Sequence, residues 1–131
     1  MAKKIPVEQW QQALAAVLQS DVDRNTQATA VRGLLQDLAT RFPGNAVEVR
    51  VPPFGAVQCV EGPGHTRGTP PNVVEMTPEV FIALATGQQG WQELREQGRI
   101  SASGARSDLA ELFPLLTMAE IERIQKIHQA E

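Results

Sequence analysis

Apolar residues first recur at helical spacing. Val7, Trp10, Leu14, Val17 and Leu18 fall on one face of a helix that Pro6 can open, since its fixed φ suits a first turn. SDVD (20–23) interrupts and offers side-chain caps for a second helix. Ala28, Val31, Leu34, Leu35, Leu38 and Phe42 form that helix's stripe, and Pro43-Gly44 stops it. The period then drops to two. AVEVRV (46–51) alternates Val47, Val49 and Val51 with Glu48 and Arg50, as a strand covered on one face does. Pro52-Pro53 ends it, FGAVQCV (54–60) reads as a second strand and NVVEM (72–76) as a third. Thr77-Pro78 opens a helix carrying Val80, Phe81, Leu84 and Ala85, closed by Gly87. A short helix with Trp91 and Leu94 stops at Gly98, and RISAS (99–103) alternates as a strand. Ser107 or Asp108 caps a predicted amphipathic helix with Leu109, Leu112 and Phe113, broken by Pro114. Thr117 and Glu120 have capping-box spacing ahead of a last stripe of Met118, Ile121, Ile124 and His128.

Strands grouped and then helices grouped predict an α+β fold, a mainly antiparallel sheet with helices on one face. The expected organisation is one domain, 1–131: N-terminal helices to 43, a sheet–helix core from 46 to 113, and a C-terminal helix from 117 to 129.

Composition trims the function classes. A net charge of −3 argues against a chain that coats nucleic acid, because phosphate neutralisation needs a basic surface. No apolar run reaches the roughly 18 residues that would cross a bilayer, and MAKKIPVEQW has no apolar h-region. Cys59 is the single cysteine and sits in an apolar run, so an inert buried thiol in a reducing, cytoplasmic setting is expected. His65 and His128 lack ligand-spaced partners for a metal site, and no metal or cofactor is expected. GPGHTRG misses the dinucleotide fingerprint, with Arg67 at the third glycine position and no helix following. Ser103, His65 and Asp108 have no nucleophile-elbow motif around them, so no catalytic residue is assigned.

One segment carries a family resemblance. TGQQGWQELREQGRISASGARSDLAELFPLL (86–116) combines the helix end Thr86-Gly87, Gly98, a strand from Arg99 to Ser103, Gly104 and the Leu109–Leu112 segment. With VEMTPEVFIAL (74–84) upstream, this resembles the sterol carrier protein-2 family, over roughly the second half of the domain. RVPPFGAVQ and HTRGTPPN make the chain similar to small stand-alone actinobacterial-type members. The ending HQAE differs from the peroxisomal signal of eukaryotic members. The resemblance implies a sheet of about five strands, with a hydrophobic tunnel between sheet and helices and a non-catalytic role in lipid binding or transport.

A lipid carrier needs an apolar wall and a polar rim. Phe81, Leu84, Trp91, Leu94, Ile100, Leu109, Leu112 and Phe113 are the candidate wall, and the same residues would equally make a closed core. His65, Thr66, Arg67, Thr69 and Asn72, in GPGHTRGTPPNVVE, are the candidate rim, with Arg67 suited to a carboxylate or phosphate head. The structural alternative has Thr and Asn satisfying backbone groups and Arg67 pairing with Glu48, Glu61 or Glu75. The expected partner is thus a small hydrophobic or amphipathic ligand. The alternatives are a protein-interaction module or homodimer with a closed core, and an enzyme using His65 and Arg67 on an anionic substrate.

Overall fold

The computed structural model describes residues 4–62 and 72–129. Helices α1 (Val7–Gln19) and α2 (Arg24–Arg41) come first. Strands β1 (Val47–Val51), β2 (Gly55–Cys59) and β3 (Asn72–Glu75) follow, then α3 (Pro78–Ala85), α4 (Trp91–Glu96), β4 (Ser101–Ser103) and α5 (Met118–Gln129).

Local chemistry sets most boundaries. Asp23 accepts from the Thr26 N–H at 2.8 Å and starts α2. Thr77 does the same for α3 through Val80, with Pro78 in the first turn. At α5 the capping box closes both ways: Glu120 accepts from the Thr117 N–H at 2.9 Å, and Thr117 from the Glu120 N–H at 3.1 Å. One expected helix is absent. Asp108 holds the Ala110 N–H, but only a 3₁₀ turn over Ala110–Leu112 forms. Pro114 forces Phe113 into an extended conformation, leaving too few residues for an α-helix.

The four strands lie in the order β2-β1-β3-β4. Two of the three pairings are antiparallel, as a mainly antiparallel sheet requires, but β1 and β3 are parallel, and the described residues hold four strands where about five were expected. The cause is where the chain leaves and returns. β2 ends beside the start of β1, Cys59 opposite Val47, and β3 begins at that same end, Asn72 opposite Val47. β3 therefore runs opposite to β2, and a strand opposite in direction to β2 is parallel to β1.

One face of the sheet is covered. Val47, Val49, Val51, Cys59 and Val74 are fully buried, while Glu48 and Arg50 pair on the other face at 2.7 Å. α2 packs on β2 and α3, α1 packs on α2, and α5 packs on α1. The α1–α2 contact is close because Gly33 has no side chain: a Cβ there would lie 2.1 Å from the Trp10 ring. Met118, expected in the α5 stripe, is exposed, whereas Ile124 is fully buried. No helix among the described residues is long and apolar enough to cross a membrane.

Candidate functional site

The eight predicted wall residues do come together. Phe81 and Leu84 project from α3, Trp91 and Leu94 from α4, and Ile100 and Leu109 from the segments around β4, all buried in one hydrophobic cluster. Leu112 and Phe113 are half-buried against that cluster, and Phe113 stacks on Trp91 with ring centroids 6.2 Å apart. Three clefts stand out among the described residues, of about 380, 470 and 750 Å³, and none of them is lined by any of the eight.

Of the predicted rim, His65, Thr66, Arg67 and Thr69 lie outside the described residues. Asn72 is buried, and its amide bridges two backbones. It donates to the Ala46 carbonyl and accepts from the Arg106 N–H, each at 2.8 Å. Both ends of the amide therefore serve the fold, tying the start of β3 to the entrance of β1. Glu48, offered as a partner for Arg67, is paired with Arg50. Cys59 is fully buried, and that burial pushes its thiol up to about 11, so it holds its proton at neutral pH.

The largest of the three clefts is apolar and lies between α2 and β2. One wall is a stripe of α2: Arg32, Leu35, Gln36, Ala39 and Thr40, spaced three and four apart. The opposite wall is Phe54 to Val57, and Lys4 and Ile5 close a third side. The stripe runs about 12 Å along the helix, at 1.5 Å per residue. Gly55, Ala56 and Ala39 put little side-chain bulk into the groove.

One end of the groove is cationic. Arg32 donates from Nε to the Phe54 carbonyl at 2.8 Å, which fixes its guanidinium there. Arg24 and Arg32 lie 5.6 and 6.0 Å from the centre of the Phe54 ring. Neither arginine, nor Lys4, is in an ion pair among the described residues. Gln36 holds the third wall in place: its side chain accepts from the Ile5 N–H at 2.8 Å and donates to the Ile5 carbonyl at 2.9 Å.

A family model described as "Bacterial SCP ortholog" matches residues 23–115, from α2 to just before α5. The chain belongs to this bacterial sterol carrier protein (SCP) family. No curated protein matches it. The SCP match contains the whole sheet, α2, α3 and α4, so all of the groove except Lys4 and Ile5 lies in the family segment. Sequence reasoning had placed Leu35 in the α2 core stripe and had not singled out the other groove residues. The available signal was that α2 is apolar on more than one side: Ala30 and Gly33 are buried as well as Leu34, Leu35 and Leu38.

Proposed function

We propose that the protein binds, without catalysis, a lipid-type amphiphile whose chain lies in the α2–β2 groove and whose polar head meets Arg32 and Lys4. Family membership supports a lipid-binding or carrier role in general, and the family is in general one of non-catalytic carriers. The observation that carries the assignment to this groove is its apolar lining around about 750 Å³, within the few hundred to about 1,000 Å³ typical of small-molecule sites. Each CH₂ taken from water there contributes about 0.8 kcal/mol before ordering losses. The cations at the rim, in no ion pair among the described residues, favour a negatively charged head over a neutral one.

The test is uptake of a fluorescent fatty acid by two sets of variants. Ala39→Trp, which fills the groove, is expected to abolish uptake while the chain remains folded. Leu112→Ala and Phe113→Ala, at the wall inferred from sequence, are expected to leave uptake intact. Uptake by Ala39→Trp at the wild-type level would reject the groove as the lipid site.

A further inference from the structure

The groove has a second property, in its backbone. The Met76 N–H donates to the Arg50 carbonyl at 3.1 Å, so Arg50 and Glu48 turn their backbone groups toward β3. By alternation, Val47, Val49 and Val51 bond to Cys59, Val57 and Gly55. Ala56 and Gln58 therefore point their N–H and C=O groups outward from the sheet. Phe54 adds only its carbonyl to that side, held by Arg32, while its N–H donates to the Val51 carbonyl at 2.9 Å. Ala56 and Gln58 are exposed, and no hydrogen bond among the described residues reaches their backbone.

This outward row borders the apolar groove along α2 and ends at a fixed arginine. From it we infer that β2 takes up an extended peptide, the acidic C-terminal tail of a partner protein, as an added antiparallel strand. Orientation follows from β2 itself. β2 runs away from Arg32, so an antiparallel strand runs toward it and delivers its terminal carboxylate to the guanidinium groups of Arg32 and Arg24. A peptide residue that bonds to Ala56 alternates with neighbours whose side chains face the covered side of the sheet, as Val57 does, and these drop into the groove. A span of about 12 Å takes roughly four extended residues at about 3.3 Å each. Acidic flanks complement Lys4, Arg24 and Arg32. This inference goes beyond lipid binding and does not require it; the two occupants share the groove and exclude one another.

The experiment uses a labelled hexapeptide alternating glutamate and valine, with a free C-terminal carboxylate, titrated by fluorescence anisotropy into the whole lipid-free chain. Saturable binding is expected. Amidating the peptide's C-terminus, or Arg32→Ala, should weaken it about ten- to a hundredfold, the loss of a charge-assisted hydrogen bond. N-methylating the peptide amide that faces the Ala56 carbonyl should weaken it about tenfold with the protein unchanged. Gln58→Pro, which removes an outward N–H on an edge strand where proline is tolerated and lies outside the groove lining, should lower peptide affinity and leave fatty-acid uptake intact. No binding of the free-carboxylate peptide, equal binding of the N-methylated one, or self-association of the chain through β2 would overturn the proposal. Loss of lipid uptake alone would bear on the carrier reading and not on this one.

Discussion

The α3–α4 region and the α2–β2 edge are built from opposite materials. Around Phe81, Leu84, Trp91 and Leu94 the side chains are large and fill the space they enclose. At the α2–β2 edge the facing residues are Ala39, Gly55 and Ala56, and the space stays open. The segment whose spacing most resembles the carrier family lies in the filled region. The largest of the three clefts lies where the sequence is plainest. Large apolar residues thus mark a core, whereas an apolar cavity arises where small residues keep two elements from closing on each other.

The difference is sharpest in stability. Phe81→Ala is expected to cost about 3–5 kcal/mol, because it removes a fully buried ring and leaves a void. Ala39→Trp, which fills open space, is expected to change stability by less than about 1 kcal/mol. Urea unfolding of both variants checks the contrast. Comparable losses would mean that the two regions are packed alike.

A smaller effect concerns the layer behind the groove. Arg41, at the end of α2, bonds Asp37 at 2.8 Å and Glu120 of α5 at 2.6 Å. The hydrogen bond from Arg41 holds the Glu120 carboxyl below its ordinary 4.5. Folding therefore gains stability from Glu120 at neutral pH, and that gain is lost as pH falls through the folded value. Asp37 acts the other way: burial raises its carboxyl despite Arg41, so its cost is relieved on acidification. Since Arg41 and Glu120 are partly solvated, the Glu120 contribution is under about 1 kcal/mol. Thermal melts of wild type and Glu120→Gln between about pH 7 and pH 3 should converge at the acid end. Parallel curves would remove Glu120 from the account.

The sequence revealed what is local. The caps at Asp23, Thr77 and Thr117 depend on neighbours three residues away, and the alternation of Val47, Val49 and Val51 is a property of one strand. The parallel β1–β3 pairing was not legible, because it depends on which end of β1 the chain returns to after residue 60. Asn72 read as a polar rim residue because its two backbone partners, Ala46 and Arg106, lie 26 and 34 positions away. The groove was hidden for the same reason. Its stripe on α2 is visible only once β2 is known to lie opposite, and an alanine in a sequence does not say whether its neighbour comes close.

The most direct measurement is photocrosslinking with a diazirine-bearing fatty acid, followed by peptide mapping of the adducts. Binding in the groove predicts adducts within residues 32–40 and 54–57. Adducts concentrated on Phe81, Trp91, Leu109 or Phe113 would contradict it and place the lipid between the sheet and α3–α4.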